Sequence, residues 1–261
     1  MNDVGIGPTM VTVRSALAPA SVAEVVARLE AIQASLPSSD GVCCFSRLYL
    51  AVTEGVQAHL ADAGFADPRF LARLDVVFAD LFFAAFDAFE RDPAQLPRAW
   101  LPLFEARSRR GIAPLQFALA GMNAHINRDL PLALVATCDE LGLEPAAGSV
   151  QHADFERVNT VLESVEKEIK QQFLSGWLRF VDRHLHRVHR IDDIVAMWDV
   201  ARARDAAWVS AETLWAIRAD ATLTSDYLAT LDRMTGFAGR GLLVPADTWV
   251  QKLGRLLRRR G

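Results

Sequence analysis

The sequence is poor in the features that mark disulfide-stapled, membrane-spanning or nucleic-acid-binding proteins. Its 261 residues include three cysteines, Cys43, Cys44 and Cys138, whose spacing fits neither a disulfide framework nor a zinc-binding motif. No run reaches the ~18 uncharged apolar residues of a membrane-spanning helix, so no membrane span is expected. The net charge of −4 disfavours a nucleic-acid partner, because such binders are usually basic. Free cysteines and a poor signal-peptide pattern in residues 1–20 predict a cytoplasmic location.

The sequence also lacks the patterns of common nucleotide-binding and hydrolase folds. There is no Gly-rich phosphate loop, no Gly-x-Ser-x-Gly elbow, and no alternation of apolar and polar residues long enough for a strand. Apolar residues recur instead at helical spacing, beginning after the capping box of Ser21 and Glu24. We therefore predict an all-α protein, with a single multi-helix globular domain of about ten helices over residues 21–261. A flexible lead-in over residues 1–20 is expected to precede this domain.

The stretch from Gly121 to Leu134 combines polar groups with a helical pattern. His125 and Asp129 stand four residues apart, so their side chains share one face of the helix. The neighbours on that face are small or apolar: Ala118, Gly121 and Met122. The pair is therefore expected to face inward, where a carboxylate needs a partner. Pro131 should kink or end the helix just past the pair, which often brings irregular backbone to a pocket.

Two interpretations of this pair stay open. In the first, His125 is a core histidine held by Asp129, and the two groups satisfy each other during folding. In the second, the pair belongs to a metal site or acts as an acid/base pair, with further groups from other helices. The sequence indicates a site here without naming its reaction.

A second buried carboxylate is predicted in the helix that Asp67 and Pro68 open. Asp75 falls in an apolar stripe made of Leu71, Phe78, Phe82 and Phe89. Because a lone carboxylate there carries a desolvation cost, Asp75 is either paired with an arginine such as Arg47 or Arg110, or part of a site. The opposite face of the helix, which is expected to be solvated, carries Arg73, Asp80, Asp87 and Arg91.

Further candidate site residues stand at the start of the longest helical pattern in the chain. His152 and Asp154 lie at its entrance, where Asp154 could cap the helix. Helix starts concentrate oriented polar groups, so both residues are candidates for the same pocket as His125. Asn159 follows them at helical spacing.

Four segments of the chain resemble a known family. They read LDVVFA at residues 74–79, PRAW at 97–100, GMNAHINRDL at 121–130 and HADFERVN at 152–159. Together they are similar to a bacterial family known as domain of unknown function 5995, over about Phe45 to Trp215. The resemblance implies a helical fold and brings no activity with it.

A second resemblance is local. The run from His125 through Asp129 to Pro131 is similar to a His-x-x-x-Asp segment, closely followed by proline, of helical zinc-dependent phospholipase C and single-strand nuclease families. That resemblance implies that His125 and Asp129 bind zinc. Leu134 stands near the place of the second histidine that usually follows the proline.

The first functional hypothesis is a metal-dependent hydrolase acting on a small or lipid-like substrate. Its pocket would join five side chains across three helices: Asp75, His125, Asp129, His152 and Asp154. A divalent zinc, manganese or iron, held by His125, Asp129, His152 and Asp154, would acidify a bound water toward a pKa of ~7. The expected catalytic groups are His125, Asp129 and Asp75. Candidates for substrate binding are Arg47, Tyr49, Met122 and Asn159.

Two further hypotheses need no metal. The second is a cyclase or isomerase of a biosynthetic pathway, in which Asp129 orients His125 as the acid/base and an apolar pocket folds a hydrophobic small-molecule substrate. Phe82, Met122 and tryptophans would line that pocket. The third is a non-catalytic ligand-binding or scaffold protein, in which the His–Asp pair is only structural.

Overall fold

A computed structural model describes residue 15 and residues 18–60, 64–163 and 199–245, and these residues form a bundle of helices. The α-helices are α1 (Val22–Ser35), α2 (Gly41–Leu60), α3 (Pro68–Arg91), α4 (Leu101–Ala106), α5 (Pro114–Ala124), α6 (Leu130–Leu141), α7 (150–163), α8 (Val200–Ile217) and α9 (Ala221–Leu242). A short 3₁₀ turn at Pro93–Gln95 precedes α4, and a π-helical turn at His125–Asp129 joins α5 to α6.

The all-α prediction is confirmed over the part of the chain that the structure describes, since those ranges contain no strand. None of their helices combines the length and apolar character that a bilayer crossing requires. Apart from α7, which borders an undescribed range, eight α-helices have both ends defined in the described residues. This number is close to the roughly ten helices predicted. Most of the lead-in predicted for residues 1–20 lies outside the described ranges.

Two predicted caps start their helices as the sequence indicates. The Ser21 hydroxyl accepts a hydrogen bond from the Glu24 backbone N–H at 3.3 Å, at the start of α1. The Asp67 carboxylate accepts one from the Phe70 N–H at 3.0 Å, and Pro68 occupies the first turn of α3. Because the first N–H groups of a helix have no partner inside it, these side chains fix where each helix begins.

Helix α3 contributes to two apolar cores. The first core is shared with α1, α2, α4 and α5 and contains Phe45, Phe82, Phe83, Trp100 and Phe104. The second is shared with α6, α7 and α8 and contains Phe70, Leu74, Leu134, Phe155 and Trp208. Ala124 belongs to the first core and Ile126 to the second, while Met122 packs against both. His125, between Ala124 and Ile126, therefore lies at the junction of the two cores.

The polar face predicted for α3 is more buried than expected. Asp80 is 7 % exposed, and its carboxylate accepts hydrogen bonds from the backbone N–H and the hydroxyl of Ser15. Asp87 forms a salt bridge with Arg28 of α1 at 2.8 Å. The expectation of a solvated face was wrong for Asp80 because Ser15 and α1 cover that side of α3.

Helix α9 comes unusually close to the segment that precedes α4. A Cβ on Gly236 would lie 2.3 Å from the carbonyl oxygen of Arg98, so only glycine allows this approach. The Asp232 carboxylate accepts hydrogen bonds from the N–H groups of Arg98 at 2.8 Å and Ala99 at 3.0 Å. This contact holds the backbone just before Trp100, whose indole N–H donates to Asp129.

Candidate active site

The His125–Asp129 turn is π-helical, and the sequence explains why. Pro131 has no N–H to donate to the carbonyl of Asn127, so the regular i to i−4 ladder cannot continue through this point. The N–H of Leu130 donates instead to the carbonyl of His125, five residues back. Pro131 then lies in the first turn of α6. The irregular backbone thus falls on the His–Asp pair itself rather than just past it, and such π turns are frequent at functional sites.

His125 and Asp129 form a buried hydrogen-bonded pair. Nδ1 of His125 lies 3.2 Å from Oδ2 of Asp129, and the two residues are 1 % and 0 % exposed. The Asp129 carboxylate also accepts from Nε1 of Trp100 at 2.9 Å and from Nη1 of Arg128 at 2.7 Å. Both of these groups can only donate, so Asp129 acts as an acceptor, and we assign the imidazole proton to Nδ1. Nε2 of His125 is then left with a lone pair.

Aromatic rings enclose the imidazole. Phe78 stacks on it with ring centroids 3.5 Å apart and planes 7° apart, and the Tyr49 ring meets it edge-on at 4.6 Å. Phe45 and Trp100 lie 5.7 Å and 5.9 Å away. Burial among these rings lowers the pKa of His125, while the hydrogen bond and charge of Asp129 oppose that change. His125 is therefore neutral at pH 7.

Three buried polar atoms around the imidazole have no hydrogen-bond partner among the described residues. They are Nε2 of His125, the hydroxyl oxygen of Tyr49 and Oδ2 of Asp75. Asp75 precedes Phe78 by three residues on α3, which places it on the same helix face as the ring that stacks on His125. Tyr49 links the other two, because its ring contacts the imidazole and the charge of Asp75 acts on its hydroxyl. Since buried polar atoms are nearly always paired, three such atoms in linked residues indicate a site that binds something.

Burial sets the protonation of two of these groups. It raises the pKa of Asp75 to about 7, so this carboxyl is partly protonated near neutral pH. It also raises the pKa of Tyr49 well above 10, and the charges of Asp75 and Asp129 add to that effect. Tyr49 therefore keeps its proton. The site thus offers one proton acceptor, His125, and two hydrogen-bond donors, Tyr49 and protonated Asp75.

Comparison with known families gives one match. The model of a family described as "family of unknown function (DUF5995)" matches residues 22–245. This chain belongs to that family. The match extends beyond the region of about Phe45 to Trp215 in which the sequence resemblance was found, and it covers the whole His125 site. No curated protein and no solved structure matches the chain. DUF5995 membership carries no activity with it.

His152 and Asp154 have their partners elsewhere. The buried Asp154 carboxylate accepts hydrogen bonds from the N–H groups of Ala66 at 3.0 Å and Asp67 at 2.6 Å, which ties α7 to the start of α3. Asp67 is eight residues before Asp75, about 12 Å along a helix. Nδ1 of His152 accepts from the Gly148 N–H at 3.1 Å.

The described residues do not by themselves assemble the predicted metal site. A catalytic zinc needs three protein ligands, and no group of three histidine, cysteine or acidic side chains in the described ranges is arranged to hold a metal. Asp129 is also hydrogen-bonded to Trp100 and to cationic Arg128, which opposes a bound cation beside it. The binding of a divalent metal to this chain stays a prediction.

The predicted substrate-binding residues divide into two groups. Tyr49 lies against the imidazole, and half-buried Met122 precedes His125 by three residues on the same face. Arg47 is exposed and donates to the Ser38 carbonyl at 3.4 Å. Asn159 accepts from Nε of Arg204 at 2.6 Å, in the second core. The structure therefore brings Tyr49 and Met122 to His125, and gives Arg47 and Asn159 other partners.

Asp75 has no arginine partner in the described part of the chain. Arg47 and Arg110, the two cations proposed to pair with it, are both exposed. The ion-pair interpretation of Asp75 was therefore wrong for these two residues. Its desolvation is left uncompensated, which is why its pKa rises.

Sequence reasoning missed three residues that shape the site. Phe78 was assigned only to the apolar stripe, and Trp100 and Arg128 were not assigned to the site at all. Arg128 links Asp129 to Asp232, with its Nε 3.7 Å from Oδ1 of Asp232. For Arg128, its position next to Asp129 in the sequence could have indicated that the two side chains interact. No local pattern indicates the Trp100 contact, because Trp100 and Asp129 are 29 positions apart in the chain.

Proposed function

We propose that this chain is an acid–base isomerase that moves a proton within a small, largely apolar carbonyl compound. One observation carries the proposal. The ring of Tyr49 contacts a neutral imidazole, a carboxyl of raised pKa acts electrostatically on that tyrosine, and each of the three groups has a buried polar atom without a partner among the described residues. These are the groups that proton abstraction next to a carbonyl needs: a base, and donors for the oxygen that becomes negative.

His125 is the proposed base. Its Nδ1–H is held by Asp129, which keeps the lone pair on Nε2 and stabilises the imidazolium once a proton arrives. Trp100 and Arg128 fix the carboxylate in turn, so the ring does not have to reorient during the reaction.

Tyr49 and protonated Asp75 are the proposed donors to the carbonyl oxygen. A carboxylic acid kept neutral by an apolar site can donate a hydrogen bond to an enolate oxygen, and a neighbouring tyrosine can provide a second. Their donors are desolvated, so each interaction with developing negative charge is stronger than it would be in water.

The step balances without a co-reactant. The substrate C–H bond breaks, its proton goes to Nε2 of His125, and its electron pair forms a C=C bond while the carbonyl electrons move to oxygen. Tyr49 and Asp75 hold that oxygen through hydrogen bonds. In a substrate with a β,γ double bond, the imidazolium then returns the proton at the γ-carbon, the double bond moves to the α,β position, and the carbonyl re-forms. The enzyme ends in its starting protonation state.

The walls of the site favour a neutral, apolar substrate. Phe78 and Phe45 pack against the imidazole, and Met122 packs against the core that contains Phe45. The nearest cation found, Arg128, is already paired with Asp129 and Asp232. An anionic substrate would therefore enter a site without a free positive charge in its described lining, at a large desolvation cost.

Deuterium exchange tests the proposal before the natural substrate is known. The full chain is incubated in D₂O with a panel of neutral, enolisable ketones and aldehydes, and loss of the α-proton signal is followed by ¹H NMR. We expect catalysed exchange that falls by at least about 100-fold in His125→Gln. Tyr49→Phe and Asp75→Asn should each lower it by roughly 10- to 100-fold.

Matched substitutions elsewhere provide controls. Tyr227→Phe removes the other tyrosine hydroxyl, and Asp139→Asn neutralises an exposed carboxylate, so both should exchange at the wild-type rate. Imidazole ¹⁵N NMR gives a substrate-independent check: a charged His125 at pH 7, or a proton on Nε2, would contradict the proposal. About one zinc, manganese or iron per chain, lost in His125→Gln, would favour the metal-dependent hydrolase instead.

A further inference from the structure

A second site is indicated on α8, in the second core. Arg204 is only 9 % exposed, and its guanidinium lies over the ring of Phe155 at 3.9 Å. Nε donates to Oδ1 of Asn159 at 2.6 Å, and Nη2 donates to the carbonyl of Phe155 at 2.8 Å. Both acceptors are neutral, so the contacts satisfy hydrogen bonds without compensating the charge.

Arg204 has no carboxylate partner in the described part of the chain. Within the described residues, Asp205 acts on it electrostatically, but Asp205 is exposed and forms no ion pair with it. Burial lowers the pKa of Arg204 to about 10, which still leaves it positively charged at neutral pH. A buried, charged guanidinium without a counter-charge is costly, and natural proteins usually pair such groups.

The hydrogen bonds of Arg204 leave one edge of the guanidinium available. Nε and one N–H of Nη2 are used by Asn159 and Phe155. The other N–H of Nη2 and the N–H groups of Nη1 have no acceptor among the described side chains and carbonyls. This Nη1–Nη2 fork has the geometry that binds the two oxygens of a carboxylate or phosphate.

A second donor lies one turn further along α8. Trp208 is 1 % exposed, and its Nε1 has no hydrogen-bond acceptor among the described residues. Its ring packs against the same Phe155 ring, with centroids 5.0 Å apart. Residues four apart share a helix face, and both side chains contact the ring of Phe155. An indole N–H and a guanidinium, each without an anionic partner among the described residues, therefore lie on the same face of α8. Both groups donate, and neither has an anionic partner in the described ranges.

We propose that Arg204 and Trp208 form the binding site of a small oxyanion, a carboxylate or a phosphate group, held by the Nη1–Nη2 fork of Arg204. The guanidinium packs on the face of the Phe155 ring, and its hydrogen bond to Asn159 fixes its orientation. The site is separate from His125 and does not depend on the proposed isomerase activity.

Anion titration of the full chain tests this site. Thermal unfolding and tryptophan fluorescence are followed with sodium acetate, sodium phosphate and sodium chloride at matched ionic strength. We expect acetate or phosphate to raise the melting temperature by about 3 °C or more over chloride, at ten times its dissociation constant. Whichever anion acts identifies the oxyanion class. Arg204→Gln should weaken binding by roughly 10- to 100-fold, and Arg204→Lys should weaken it less.

Controls separate binding from a structural role. Arg202→Gln removes an arginine of the same helix whose side chain is 86 % exposed, and it should keep the wild-type anion response. Trp208→Phe should abolish the anion-dependent fluorescence change, whereas Trp215→Phe should retain it. If acetate and phosphate act no differently from chloride on the wild-type chain, the proposal is overturned. It is equally overturned if a folded Arg204 or Trp208 variant keeps the full response.

Discussion

The imidazole of His125 lies face to face with the ring of Phe78, with centroids 3.5 Å apart and planes 7° apart. This stack fixes the plane of the proposed base from outside its own helix. Phe78 and Asp75 are three residues apart on α3, so one helix both holds the ring of the base and carries the proposed donor. A small shift of α3 against the π turn would therefore misplace both groups together.

The proposed chemistry predicts a narrow pH profile. Activity needs neutral His125 and protonated Asp75, so it should fall as pH drops through the lowered pKa of His125, below 6.5. It should also fall as pH rises through about 7, where Asp75 loses its proton. The pH dependence of the exchange rate measures both limbs. Asp75→Asn should lose the alkaline limb, and Asp139→Asn should keep it. A rate that climbs steadily from pH 7 to 9 would contradict the role of Asp75.

The same carboxyl predicts how stability depends on pH. The pKa of Asp75 is about 7 in the folded chain, against an ordinary value of 3.8, so the folded state binds more protons than the unfolded state between these values. Its ionisation therefore destabilises the fold as pH rises from about 4 to 7. At pH 8 the free energy of unfolding of Asp75→Asn should exceed that of the wild type by roughly 2–4 kcal/mol. The difference should vanish near pH 4.

Denaturant unfolding of both chains at three pH values measures this difference. The contribution of His125 is common to the two chains and cancels in the comparison. An Asp75→Asn chain that is less stable than the wild type at pH 8 would show that the ionised carboxylate has a favourable partner.

Arg128 should tune the base. Its Nη1 lies 2.7 Å from Oδ1 of Asp129, and its positive charge offsets that of the carboxylate. In Arg128→Gln the carboxylate is less compensated, so it favours the imidazolium and the pKa of His125 rises. Imidazole ¹⁵N shifts, followed against pH, measure the change. Arg73→Gln, which breaks the more exposed pair with Glu140, should leave the His125 titration where it is.

Two glycines should respond oppositely to alanine. A Cβ on Gly121 would lie 2.4 Å from the Phe45 ring, so Gly121→Ala should destabilise the fold by about 1–3 kcal/mol through overpacking. A Cβ on Gly241 meets nothing within 4 Å near the end of α9. Gly241→Ala should therefore stabilise by about 0.5–1 kcal/mol. Urea unfolding compares the two, and equal effects would contradict the close packing at Gly121.

The predictable parts of this protein were the local ones. Ser21 and Asp67 cap helices where the sequence placed them, because a cap is decided by neighbours three or four residues away. The His125–Asp129 hydrogen bond follows from the same i to i+4 geometry. The partial burial of Asp75, whose Oδ2 is shielded from solvent, was predictable because its neighbours on the helix face are leucine and phenylalanine.

The parts that escaped prediction depend on contacts between distant segments. His152 and Asp154 have the residue types of a metal site, but packing of α7 against the start of α3 gives Asp154 two backbone N–H groups as partners. Asp80 was predicted to be solvated, but it is buried and accepts a hydrogen bond from Ser15, 65 positions earlier in the chain. Trp100 reaches Asp129 only because Asp232 and Gly236 dock α9 on the chain just before it.

By itself, the sequence determined the helices, their caps and the polar pair on one inward face, since these rest on short-range periodicity and hydrogen bonds within a turn or two. Tertiary structure alone decided which candidates meet, because side-chain partners across the cores depend on how whole helices pack. Tyr49, Phe78 and Trp100 come from three separate segments and meet His125 only after those segments have assembled.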